Sequence, residues 1–308
     1  MKVREFADGC EIAQPLLVRR VESRGENLEL VLADRTGTVL AVAPQNGADG
    51  HCRPGRVVFV TGTLAGARLL VRHLRAAGEH EYAREDLYDG PSRDLGQMES
   101  DLRGLLATVQ NPHLRRLLSA VFADAWPEYR DAPAGKRYHH AYPHGLLEHS
   151  LTVAQAVSAI SATFPGIDRD VAVAGALLHD IGKLDAYELA DGAISMSDGG
   201  RLHGEIPLGY YRVRRAIERL DDFPDDLAQA VLHIILSHHG SLEHGSPVVP
   251  CTREATLVHM IDNLGGKLGS FDRLEKELPA GALWSAYDKA LGGGAYFAPR
   301  AEAGREAA

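Results

Sequence analysis

Seven side chains of metal-ligating type punctuate residues 149–262 of this 308-residue chain: His149, His179-Asp180, His203, His238-His239 and Asp262. A single histidine is ordinarily a hydrogen-bonded core or surface group, so it is the grouping that matters. Neighbours on a helix point about 100° apart, so His179 and Asp180 can serve one site only near a helix end, and Gly182 is the residue expected just past such an end. Imidazole and carboxylate together suit Mn, Fe, Zn or Co better than Ca or Mg, whose sites are richer in oxygen. Seven ligands exceed the need of one ion. Two ions sharing a carboxylate would use them all, and such a pair, about 3.5 to 4 Å apart, stabilises both the attacking and the leaving oxygen of a phosphoryl displacement.

The elements that must position these groups are helices. Leu102, Leu105, Leu106 and Val109 recur at helical spacing, and Asn111-Pro112 restarts a helix through Leu114, Leu117, Leu118, Val121 and Phe122. Further helices are expected over Leu146 to Ser161, Arg169 to Leu178, Glu205 to Leu220, Asp225 to Leu236 and Thr252 to Leu278. Upstream the pattern differs. Short β-type runs, Leu16 to Val21, Leu28 to Ala33, Thr38 to Val42, Val57 to Thr63 and Arg68 to Leu74, are separated by turn residues such as Asp34-Arg35-Thr36-Gly37. Five strands in this space suggest a small OB-type barrel, with an SH3-like barrel as the alternative. The expected fold is α+β and multidomain: a five-stranded barrel over residues 1–75, a linker over 76–93, an all-α domain over 94–291 and a loose tail over 292–308.

The net charge of −9 argues against a wholesale nucleic-acid coat, but it is unevenly spread. Residues 1–75 hold 11 Lys and Arg against 8 Asp and Glu, so the acidic excess lies farther on. If the barrel binds single-stranded nucleic acid, Arg20 and Arg35 are among the arginines placed to follow a backbone, while Phe6 and Phe59 are its only aromatic residues. Cys10, Cys52 and Cys251 lie far apart, which gives no disulfide framework and fits a reducing cytoplasm. No apolar run has the length of a membrane span.

The order His149, His179-Asp180, His203, His238-His239, Asp262 resembles the HD superfamily of metal-dependent phosphohydrolases, whose minimal signature stands here as His149, His179, Asp180 and Asp262. The resemblance narrows with Tyr138-His139-His140-Ala141-Tyr142, Gly145-Leu146-Leu147-Glu148-His149-Ser150, Leu177 to Lys183, Leu236-Ser237-His238-His239-Gly240 and Asp262-Asn263-Leu264. These runs are similar to the YhaM-type 3'-5' exoribonucleases, which join an OB fold to an HD domain. Pro143-His144, Gly265-Gly266 and Ala43-Pro44 depart from that family's pattern.

The resemblance implies hydrolysis of single-stranded RNA, extended to single-stranded DNA, by two divalent transition metals, Mn²⁺ foremost, and assembly into a homo-oligomer. It places His149, His179, Asp180 and Asp262 on one ion and Asp180, His203, His238 and His239 on the other. Asp180 then bridges, and Lys183 contacts substrate or nucleophile. Glu148 is expected to support a ligand by accepting an imidazole N–H, with a plain surface acid as the alternative. Lys136, Arg137, His139 and His140 are expected to face substrate phosphates. Competing readings are a phosphodiesterase of small nucleotides, a di-iron oxygenase and a non-enzymatic nucleic-acid-binding regulator.

Overall fold

Alternating apolar residues between Glu11 and Ala76 form five strands: β1 (Glu11–Arg24), β2 (Asn27–Asp34), β3 (Gly37–Pro44), β4 (Val57–Ala65) and β5 (Arg68–Ala76). They close into a barrel in the order β1-β2-β3-β5-β4, with β3 and β5 parallel and the other pairs antiparallel. This is the five-stranded OB-type barrel expected. Leu28, Leu30 and Leu32 are buried with Ile12, Leu16, Val58, Val60 and Leu69, as the period of two requires. Asp34 ties the first hairpin. Its Oδ1 accepts from the Thr36 and Gly37 amides at 2.7 and 3.1 Å, and its Oδ2 from the Val3 amide at 2.7 Å. β1 outruns the expected Leu16 to Val21 because closure shares it: residues Glu11 to Leu17 pair with β4, and residues from Leu17 onward pair with β2.

This computed structural model describes residues 1–45, 52–136, 140–190, 193–278 and 282–298. The chain divides into two compact units, Met1–Asp89 together with the chain from Ser270, and Gly90–Gly269. The sequence reading, by contrast, carries the helical domain to residue 291. Within the first unit the stretch after β5 holds a short helix, α1 (Arg84–Leu87), and residues 282–298 are braced by the bridges Trp284 to Tyr296 and Asp288 to Gly293.

The second unit is helical: α2 (Leu95–Thr108), α3 (Pro112–Asp131), α4 (Gly145–Ser161), α5 (Arg169–Leu178), α6 (Lys183–Ala186), α7 (Asp198–His203), α8 (Glu205–Glu218), α9 (Asp225–Ser237) and the start of α10 (Arg253–Glu277). One departure from the all-α expectation is a hairpin, β6 (Tyr187–Ala190) with β7 (Ala193–Met196). Helix starts are capped by side chains: Asn111, as the sequence suggests, and also Asp94 and Asp168 accept backbone N–H of the turn that follows. The core gathers Leu117, Leu118 and Val121 of α3, Leu147 and Leu151 of α4, Val173 and Leu177 of α5 and Val231 and Ile235 of α9. α5 and α9 pack so closely that a Cβ at Gly175 would overlap the Ile234 side chain. No helix among the described residues is long and apolar enough to cross a membrane.

Candidate metal centre

α5 and α9 deliver one histidine each from their C-terminal ends. His179 is the residue capping α5 and His238 the residue capping α9. In both, ring Nδ1 lies on the carbonyl three residues back, Ala176 at 2.7 Å and Ile235 at 2.8 Å. A carbonyl oxygen can only accept, so Nδ1 carries the proton and Nε2 is left as a lone pair directed away from its own helix. Two helix C-termini also bring two negative dipole ends to one place, which favours a cation there.

α4 and α10 complete the cluster. His149, from α4, has Nε2 3.2 Å from His179 Nε2, 3.2 Å from Asp180 Oδ2 and 3.1 Å from Asp262 Oδ1. His179 Nε2 is 3.3 Å from Asp180 Oδ2. Ligand atoms thus converge in two overlapping groups, His149 with His179 and Asp262, and His179 with Asp180 and His238. All but the partly buried Asp262 are buried.

Asp180 Oδ1 and His238 Nε2 are buried, make no hydrogen bond among the described residues and lie 3.6 Å apart. Leaving a buried carboxylate oxygen and a buried imidazole lone pair unsatisfied costs on the order of 1–3 kcal/mol each. A cation between them satisfies both, since each is an electron-pair donor, so the residues present fit a divalent metal.

The ionisation of the group fits the same reading. Burial opposes charge on His149, but hydrogen bonds to Asp180 and Asp262 outweigh it and push the imidazole up to about 9. Burial likewise opposes the charge of Asp180, and the Lys183 ammonium holds that carboxyl well below its usual range. Asp262 is also held low against burial, chiefly by His149. Lys183 is buried, with Nζ donating to Asp180 Oδ2 at 2.6 Å, and this carboxylate outweighs desolvation to raise the lysine. A solvated helix-end lysine is therefore not what stands there.

The other expected site residues divide. His239 stands beside the cluster, its ring 4.3 Å from that of His238 and its Nδ1 held by the His244 carbonyl at 2.9 Å. His203, the last residue of α7, is exposed and outside both groups. Glu148 is buried, yet its proton donors are Ser92, through amide and hydroxyl at 2.9 and 2.6 Å, and Tyr142 at 2.7 Å. It fastens two loops to α4, and none of those donors is an imidazole. His140 packs its ring 5.5 Å from that of His149. Lys136 is exposed; Arg137 and His139 lie outside the described residues. On the barrel, Arg20 is exposed and 3.6 Å from Glu22, and Arg35 is half-buried in the first hairpin turn.

Sequence reasoning passed over Glu205. This first residue of α8 stands 3.8 Å from His239 Nε2 and adds to the field that raises Lys183. Its position two residues after His203, opening a helix, was the available signal. A Cβ at Gly182 would collide with the Glu205 carbonyl and the Gly209 amide, so glycine there lets α8 come up against the turn that carries Asp180.

Comparison with known proteins settles the family. The HD domain profile matches residues 146–266, the span from α4 into α10 that holds every converging ligand. The 3'-5' exoribonuclease YhaM of Geobacillus sp. (strain WCH70) is 32% identical over 265 residues, 82% of this chain and 80% of its own length. The chain belongs to the YhaM 3'-5' exoribonuclease family. The YhaM of Bacillus subtilis (strain 168) is 31% identical over 287 residues, 88% of this chain and 90% of its own. The likeness to YhaM proteins therefore takes in the barrel as well as the helical part.

Proposed function

We propose that this protein is a metal-dependent 3'-5' exoribonuclease that hydrolyses the terminal phosphodiester bonds of single-stranded RNA. The observation that carries the reading is the pair of partnerless buried donors, Asp180 Oδ1 and His238 Nε2, inside a ring of imidazoles and carboxylates. His149, His179, Asp180 and Asp262 would hold one divalent ion, and Asp180, His203, His238 and His239 the other, with Mn²⁺ the favoured metal. The two faces of Asp180 support its bridging role: Oδ2 is turned to His149 and His179, and Oδ1 to His238. His203 would have to turn inward from its exposed position.

When bound, two such ions supply an acidified water and neutralise charge on the phosphoryl group. The chain's own residues do the rest. Helix carbonyls fix the tautomers of His179 and His238. Lys183 neutralises part of the carboxylate charge and keeps a buried cation within reach of a phosphate oxygen. Glu148 holds the Ser92 and Tyr142 loops against α4, and His140, whose ring lies beside His149, would meet substrate.

The test uses metal-stripped protein, 5'-labelled single-stranded RNA and added Mn²⁺. A ladder shortening from the 3' end is expected. Hydrolysis of small nucleotides alone would hand the function to the phosphodiesterase reading, and a parallel DNA strand shows whether the 2'-hydroxyl is required.

A further inference from the structure

A cleft of about 480 Å³ opens in the helical unit away from the metal-ligating residues, none of which lines it. Its size falls within the roughly 300–1,000 Å³ usual for small-molecule sites. Asp124 of α3, Asp185 of α6 and a row of α8 side chains form its walls. Arg212 and Arg215 of α8 and Arg219, the residue capping it, follow one another at about one turn, a spacing at which like charges repel.

Two of the three are compensated. Arg212 clamps Asp185 with Nε and Nη2 at 3.0 and 2.8 Å, and Arg219 Nη1 lies 3.4 Å from Asp124. Arg215 forms no ion pair among the described residues. Its guanidinium lies over the ring of Tyr211, 5.5 Å from the centroid, and that tyrosine is 59% exposed. The wall therefore offers one uncompensated cation between two that are held in place, with an exposed aromatic face beside it. A guanidinium takes a phosphate by charge-assisted hydrogen bonds, and a tyrosine ring stacks a base.

We propose that this cleft binds a nucleotide, its phosphate on Arg215 and its base against Tyr211, either as a free nucleoside 5'-monophosphate or as one unit of an RNA strand. Such binding needs no hydrolysis, so it stands or falls separately from the metal-centre reading.

The experiment is calorimetric titration of the full-length, metal-stripped protein with AMP, adenosine and inorganic phosphate, and with an unlabelled ten-nucleotide RNA. AMP should saturate one site, with adenosine and phosphate each weaker by about tenfold or more, as loss of a charge-assisted contact or a stacked base implies. Arg215→Glu should weaken AMP by at least about tenfold at an unchanged melting temperature, Arg215→Lys should restore part of it, and Asp180→Ala should leave it intact. RNA that binds tighter than AMP, and loses affinity in Arg215→Glu, assigns the cleft to the strand; RNA no tighter than AMP assigns it to the free mononucleotide. AMP affinity unchanged in Arg215→Glu, or lost in Asp180→Ala, overturns the proposal.

Discussion

The barrel and the helical unit both carry many charges, and they treat them in opposite ways. On the barrel, five arginines stand beside carboxylates at the surface: Arg72 with Glu11, Arg75 with Glu81, Arg24 and Arg68 with Glu29, Arg20 with Glu22. At the ends of α5 and α9 the charges are buried, crowded and incompletely matched, with Asp180 only 2% exposed. Exposed pairs are screened and contribute little, so they can be lost or exchanged. Buried charges with unsatisfied atoms persist only where something requires them. The contrast shows why the metal centre is the firm part of the molecule and why the barrel's arginines are poor guides to what it binds.

Removing the carboxylate proposed to bridge the two ions attacks the contrast at its strongest point. Asp180→Ala should drop RNA hydrolysis to background and strip bound metal, read by the RNA ladder and by metal analysis of the purified variant; full activity would end the two-ion assignment. Lys183→Met keeps the stem and deletes the buried cation, and a loss of about 10²–10³-fold in single-turnover rate is expected.

Acidity gives the next test. The folded His149 is raised to about 9 from an ordinary 6.5. Its contribution to stability is thus complete below pH 6.5 and lost as pH rises through 9, the reverse of the depressed Asp180 and Asp262, whose contributions vanish only in acid. Metal-free protein should therefore melt at progressively lower temperature between pH 6.5 and 9, while metal binding, which must displace that proton, tightens over the same range. Ser92→Ala leaves buried Glu148 short of a donor and should cost about 1–3 kcal/mol by denaturant titration. Arg72→Ala marks the other end of the scale. Its ion pair with Glu11 is exposed, and no change in melting temperature is expected.

Much of this was legible in the residues. All five strands and the helix Arg169–Leu178 follow from the apolar pattern, because one buried face writes itself into the chain at a fixed interval. The hairpin of β6 and β7 does not, since four-residue strands are too short to show a period; Asp191-Gly192 between them was the usable sign. The folding back of residues after Ser270 onto the barrel unit is a tertiary choice with no local mark. At the site, histidine and aspartate types foretold His149, His179, Asp180, His238 and Asp262 converging. They did not foretell His203 pointing to solvent or Glu148 choosing a serine and a tyrosine, because a side chain's partner depends on which loop happens to arrive.

The paired helix caps at His179 and His238 carry a kinetic consequence. Their rings are locked by main-chain carbonyls as soon as α5 and α9 fold, so ion capture asks for no tautomer exchange and no reorientation of those two ligands. Loading should then keep pace with how fast each aqueous ion sheds its own water, and discrimination among ions at this centre becomes a matter of hydration as much as of affinity.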